Sequence, residues 1–380
     1  MNQLPIYLDY NATTPLLPEV MEAMLPYLRE HFGNPSSMHP FGKRAREAVE
    51  DARMEVARLL GCQPDEVFFT SGGTESNNLA IRGAAEARSD RRHIVTSSIE
   101  HPAVANPCAS LERCGYEVTH LPVDRDGRVD PAAVAASVRG DTVLVTIMHA
   151  NNEVGTIEPI AEISGLAHGK GALVHTDAAQ SVGKVPLTVG DLGVDLLSVA
   201  GHKLYAPKGV GALYVRRGTP IRPFMLGAGH ERGLRPGTEN VASIAGLGRA
   251  CAIARETLTL EASRVRALRD RLWKLLRAQI PEIELNGHHS ERLPNTLNVR
   301  FPQAFGSRIL ERAPEIAAST GSACHEGDES ASGVLLAMGI EPRAALGSVR
   351  LSLGRGTTAD QIERAAATLI RAWIEEINGR

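Results

Sequence analysis

Cysteine is scarce in this chain: five among 380 residues, Cys62, Cys108, Cys114, Cys251 and Cys324. Their number is odd and no pair has CxxC spacing, which excludes a disulfide framework and a cysteine-rich metal site and leaves free thiols, as in a reducing cytoplasm. An excess of charge is also missing. Forty-one Lys and Arg face 44 Asp and Glu, a net charge of -3, and the pI is near 6.5. Neither nucleic acid nor an anionic membrane surface is an expected partner. No apolar run approaches the roughly 20 residues that span a bilayer. The opening MNQLPIYLDYNATTP lacks the basic stretch and apolar core of a signal peptide, so a cytoplasmic location is expected. Internal repeats and low-complexity segments are absent. What is present is ordinary for a soluble globular chain: 43% hydrophobic residues, 36 Gly and 22 Pro. The length suffices for more than one core.

From about residue 67 the pattern alternates. Short apolar runs predict strands at Val67–Thr70, His93–Ser97, Glu117–Pro122, Thr142–His149, Ala172–His175 and Val194–Ala200. Helical periodicity predicts helices at 43–60, from Ser76, from about Ala103, at 131–138 and at 160–169, with a further one opened by Pro15 and Pro18. Strands alternating with helices predict an α/β chain with a mostly parallel sheet covered on both faces. Residues 227–240 read as a long loop, and Val241 to about Gln279 as a long helix able to bridge two cores. The remainder mixes short strands (Thr296–Arg300, Val349–Leu353) with helices, including an amphipathic one from Ala359. The expected division is a large domain over 15–255 and a smaller α+β domain built from 1–14 and 256–380.

Chemistry first shows between His175 and Tyr214. The run Val194 to Ala200 delivers Lys203 into a Gly/Pro-rich loop, an unusual place for a residue that normally occupies solvated faces. A lysine held there loses its proton more readily than an exposed one, which suits it to form a Schiff base. Asp177, ending the preceding strand, would suit a pyridinium nitrogen. Together they are the protein's share of pyridoxal phosphate chemistry; either alone reads as a surface lysine or a capping aspartate. Gly73 and Thr74 lie in a small-residue turn between a strand and a helix, where backbone N–H groups at the helix N-terminus can approach a phosphate. His101, Asn152 and Gln180 also fall just past predicted strands. Ligands of open α/β sheets bind beyond the carboxyl ends of the strands, so these residues converge on one edge with Lys203. Cys324 lies in the small, polar run AASTGSACHEGDES, where an accessible thiol is expected and His325 would favour the thiolate. The other four cysteines are expected to be buried. Arg350 interrupts an apolar strand pattern and needs an anionic partner, either a substrate carboxylate or a salt bridge.

LDYNATTP, SGGTESNN, EH before a helix, HANNEVG, HTDAAQ, SVAGHK, ERGLRPGTEN, LPNT, GSAC and VRLSLGR follow one another in this order. The series, covering nearly the whole chain, resembles the cysteine desulfurase and selenocysteine lyase family. That resemblance implies the fold type I of pyridoxal phosphate-dependent transferases, and a homodimer. It makes Lys203 the Schiff-base lysine and Asp177 the partner of the pyridine nitrogen. Gln180 would bond the phenolic oxygen, and His101 would stack on the ring and shuttle protons. Thr74 and His202 would hold the phosphate, helped by Thr238 of the partner subunit. Asn152 and Arg350 match the substrate-carboxylate contacts. Cys324 matches the nucleophile that takes sulfur from L-cysteine as a persulfide, for a sulfur-acceptor protein in iron–sulfur cluster assembly, tRNA thiolation or another pathway.

The pattern also departs from the desulfurases. Many carry Ser where this chain has Ala200, which removes one phosphate hydrogen bond. Pro236 in the RPGTEN run and His325 after Cys324 look like selenocysteine lyases, which act on L-selenocysteine. Pro102 after His101 and the spacing from Cys324 to Val334 look like desulfurases. Both substrates stay open on the sequence, with L-cysteine leading.

Overall fold

The computed structural model describes residues 4–320 and 330–379. Its centre is a seven-stranded sheet. Taken across the sheet, the strands are Val67–Thr70, Gly211–Val215, Leu196–Ala200, Leu173–Asp177, Thr142–Thr146, His93–Ser97 and Glu117–Leu121. Only Gly211–Val215 runs against its neighbours. Five of the seven strands are buried along their whole length, as expected of a sheet covered on both faces. Side chains alternate between two apolar layers: Val145, Leu197 and Ala212 face one, and Leu144, Leu196 and Leu213 the other. One set of polar residues inside these strands is paired internally. His175 Nδ1 meets Thr146 Oγ1 at 2.8 Å and its Nε2 meets Ser198 Oγ at 3.0 Å, so one ring ties three adjacent strands. Burial pushes the pKa of His175 down to about 3, and the ring stays neutral.

A second core surrounds the three-stranded antiparallel sheet of Ser348–Ser352, Thr296–Arg300 and Glu284–Asn286. Leu8, Val299, Phe301, Leu351 and Leu369 fill it. The helix Val241–Gln279 serves both cores, giving Leu247 and Cys251 to the first and Val265, Leu272 and Leu276 to the second. At about 1.5 Å per residue it is roughly 58 Å long. Ile6–Tyr7 pairs in parallel with Ile316–Ala317, which carries the amino-terminal segment across to the second core.

Two sequence expectations need correction here. The run Thr142–His149 ends as a strand at Thr146, where the chain turns into the site. Cys108 and Cys251 are buried, but Cys62 is half-buried and Cys114 exposed. Cys114 sits in the turn that closes the helix Pro102–Glu112, with its N–H bonded to Leu111 O at 2.8 Å.

Candidate active site

A cavity of about 300 Å³ opens at the carboxyl edge of the large sheet, at the lower end of the usual range for small-molecule clefts (about 300–1,000 Å³). Its wall contains Gly73, Thr74, His101, Asn152, Asp177, Gln180, His202, Lys203 and Arg350. Nine of the eleven expected site residues therefore meet in one place. Thr238 lies elsewhere on the surface, exposed. Cys324 lies outside the described residues.

The helix Gly73–Ala87 starts at the cavity, and its capping residue, Gly72, supplies no side-chain acceptor. The first-turn N–H groups are thus available to an anion. Gly72 has φ +146°, a conformation that favours glycine. Its turn also lies against Gly211, where a Cβ would come within 2.7 Å of Gly72 Cα.

Lys203 sits in the 3₁₀ turn Gly201–Lys203 that follows the strand Leu196–Ala200. Its Nζ donates to Asn11 O (2.5 Å) and Ala12 O (2.7 Å). Burial, and then the Arg350 charge, push its pKa down to about 8, with Asp9 and Asp177 opposing. The amine is thereby brought close to the deprotonated form that attacks a carbonyl. Asp177 is buried. Its Oδ2 accepts from Asn77 Nδ2 (2.7 Å) and its Oδ1 from the Ala179 N–H (2.9 Å), which orients the carboxylate. His101 caps the helix Pro102–Glu112: its Nδ1 accepts from the Ala103 N–H at 3.1 Å. In the neutral ring Nε2 then carries the proton. Part of the ring is exposed at the mouth of the cavity. The enclosed part, with Lys203 nearby, keeps its pKa below the usual histidine value against the pull of Asp177.

Of the two partners the sequence offered, the structure gives Arg350 the salt bridge, to Asp9. Its Nη2 donates to Asp9 Oδ1 (2.8 Å) and its Nη1 to Asn152 O (3.2 Å). Its Nε is buried without a hydrogen-bond partner, and the side chain lines the cavity. A buried donor left unmade is costly. The residues fit pyridoxal phosphate: a free helix N-terminus for the phosphate, an oriented carboxylate for the ring nitrogen, and a low-pKa lysine for the aldehyde.

Sequence reasoning missed four contributors. Asp9 and Asn11 lie in LDYNATTP, and Asn11 acts largely through its backbone carbonyl, which no side-chain pattern reveals. Asn77 stands three residues after Thr74 on the same helix, a spacing that places both on one face. Lys184 donates to Gln180 Oε1 at 2.8 Å.

Residues 6–365 match the class-V aminotransferase family. The cysteine desulfurase IscS of Dictyoglomus turgidum is 49% identical over 96% of this chain and 94% of its own length. The cysteine desulfurase of Trichormus azollae is 50% identical over 94% and 90%. Among solved structures, a NifS-like protein superposes with a TM-score of 0.91 at 39% identity, covering 97% of this chain and 99% of its own. The protein SspA, in complex with cysteine, gives 0.82 at 38%, over 93% and 99%.

Proposed function

The chain belongs to the class-V aminotransferase family, and we propose that it is a cysteine desulfurase, converting L-cysteine to L-alanine with transfer of the sulfur to Cys324. The observation that carries this reading is the convergence of Lys203, Asp177, His101, Gln180 and Arg350 on one cavity. The enzyme depends on pyridoxal phosphate, which, when bound, supplies the electron sink that makes the substrate's α-proton acidic. Gly73, Thr74 and His202 bind the phosphate, and Asp177 accepts the pyridine N–H. Lys203 anchors the cofactor; once the substrate's amine has replaced it, Nζ moves the proton at the substrate Cα. Arg350 and Asn152, both in the cavity wall, hold the α-carboxylate. His101 presents Nε2–H at the mouth of the cavity and passes protons there. The Cys324 thiolate attacks the substrate's sulfur: an S–S bond forms as the C–S bond breaks, the C–S electron pair stays with Cβ, which takes up a proton, and a persulfide and alanine result.

The working unit is a homodimer, with Thr238 of the partner subunit completing the phosphate site. The support is its exposed position, away from the cavity on its own chain. No helix among the described residues is long and apolar enough to cross a membrane; a cytoplasmic location and a sulfur-acceptor protein belong to the proposal. So does the division into domains over 15–255 and over 1–14 with 256–380, which the two apolar cores support.

Alanine release from L-cysteine and L-selenocysteine, measured side by side with reductant present, tests the reading. Turnover on cysteine that collapses in Cys324→Ser is expected. Turnover on selenocysteine alone would replace desulfurase by selenocysteine lyase.

A further inference from the structure

Lys184 is a partly buried lysine that none of these roles uses. It follows Gln180 by four residues in the turn after the strand Leu173–Asp177, with its own N–H bonded to Ser181 O at 3.0 Å. Its Nζ donates to Gln180 Oε1 at 2.8 Å and lies 3.3 Å from Asn11 Oδ1. Gln180 Nε2 in turn donates to Asn11 O at 3.0 Å, the same carbonyl that accepts from Lys203 Nζ.

An ammonium group donates and cannot accept. The end of the Gln180 amide that faces Lys184 must therefore be the oxygen, and the nitrogen must face the cavity. Sharing one carbonyl places that nitrogen beside the lysine amine. In pyridoxal phosphate the phenolic oxygen is attached to the ring carbon next to the one bearing the aldehyde, so a donor beside the lysine amine is a donor beside that oxygen. An amide nitrogen carries two hydrogens; Asn11 O takes one, and the other is free for the phenolic oxygen. We propose that Lys184 is a positioning residue, which acts through Gln180 by locking its amide with the N–H aimed at the phenolic oxygen. The inference rests on the cofactor reading above and deepens it.

The charged groups around Lys184 work against its proton, which the acceptors Gln180 Oε1 and Asn11 Oδ1 must hold in place. Burial, then Lys203 and Arg350, push its pKa well below the usual lysine value, so its proton depends on the acceptors it holds. On its other side it shares a small cavity of about 40 Å³ with Glu261 and Arg355. Asp9 and Asp177 stand on the cofactor side, engaged with Arg350 and Asn77.

The visible absorbance of the bound cofactor changes with pH as its link to Lys203 loses a proton. A hydrogen bond to the phenolic oxygen favours the more negative, deprotonated form, so losing it raises the pH of that change. Lys184→Met, titrated with pyridoxal phosphate bound, should move it up by about one pH unit. Gln180→Leu should move it in the same direction, and the double variant should go little further than either single one. An unchanged transition in cofactor-loaded Lys184→Met overturns the proposal, as does full additivity in the double variant. Should Lys184→Met fail to fold, a crystal structure of the loaded parent protein decides. Gln180 Oε1 on Lys184 with Nε2 on the phenolic oxygen supports the proposal, and Lys184 turned away from Gln180 overturns it. Failure of the parent protein to take up the cofactor, with no borohydride-stable link on Lys203, is a separate result that overturns the cofactor reading and this inference with it.

Discussion

At the scale of single residues the site is a set of charges, each placed to change what its neighbour can do. Lys203 has its pKa pushed to about 8 by burial and by Arg350, and only the neutral amine attacks an aldehyde. Uptake of pyridoxal phosphate by the cofactor-free protein should therefore rise with pH and level off above about 8; stopped-flow absorbance would measure it. Arg350→Met removes a cation that favours the neutral amine, so the same inflection should move to higher pH. The substitution should also raise the KM for cysteine about 10- to 100-fold, the worth of a charge-assisted hydrogen bond of about 1.5–3 kcal/mol. Lys203, Asp177, His101, Gln180 and Arg350 were legible in the sequence because each follows or interrupts an apolar strand pattern. Asp9 was not: its partner, Arg350, lies 341 residues away, and nothing local distinguishes it from a turn aspartate. Lys184 was hidden likewise, since its burial is decided by how the amino-terminal segment folds over it.

At the scale of elements, the strands bring these residues together, and their packing leaves little tolerance at the phosphate turn. Gly211 leaves no room for a side chain. A Cβ there would meet Val199 O at 2.5 Å and Gly72 Cα at 2.7 Å. Gly211→Ala should destabilise the fold by about 1–3 kcal/mol, the usual cost of overpacking, and should weaken cofactor binding more than a remote substitution of equal cost. Urea denaturation and a cofactor titration would separate the two effects. The His175 bridge gives the same strands a pH dependence. Its folded pKa is depressed to about 3, against about 6.5 in an unfolded chain. Its contribution is therefore complete above 6.5 and is lost progressively as pH falls from there toward 3, at up to about 1.4 kcal/mol per pH unit. His175→Gln, which keeps donor and acceptor but does not titrate, should flatten the fall of the urea midpoint between pH 6.5 and 5. The central strands were readable as short apolar runs ended by turn residues. Gly211–Val215 was not assigned, because a glycine opens it and it follows a glycine-rich turn. Ile6–Tyr7 and Ile316–Ala317 are too short to show any periodicity.

At the scale of the whole molecule, the long helix Val241–Gln279 joins two cores and holds the two sheets that deliver Lys203 and Arg350 to one cavity. Leu272 is fully buried in the second core. Leu272→Ala should cost about 2–5 kcal/mol, readable as a lower urea midpoint. Phe32 and Phe41 are 75% and 56% exposed with ring centroids 5.7 Å apart, and a homodimer would have reason to cover them. Sedimentation should find a species of twice 40.7 kDa, and charged replacements of both rings should weaken it. The alternation of strands and helices made the α/β architecture legible, whereas the folding of the first residues onto both cores depends on contacts across the whole chain. In the proposed reaction this cavity strips sulfur from cysteine and hands it to Cys324. The most direct measurement is a peptide map of the pyridoxal phosphate-loaded protein after one turnover with L-cysteine, without reductant, with alanine counted alongside. One added sulfur on the Cys324 peptide for each alanine released is the predicted result. Alanine released with Cys324 unmodified, or no alanine from a protein holding its cofactor on Lys203, would contradict it.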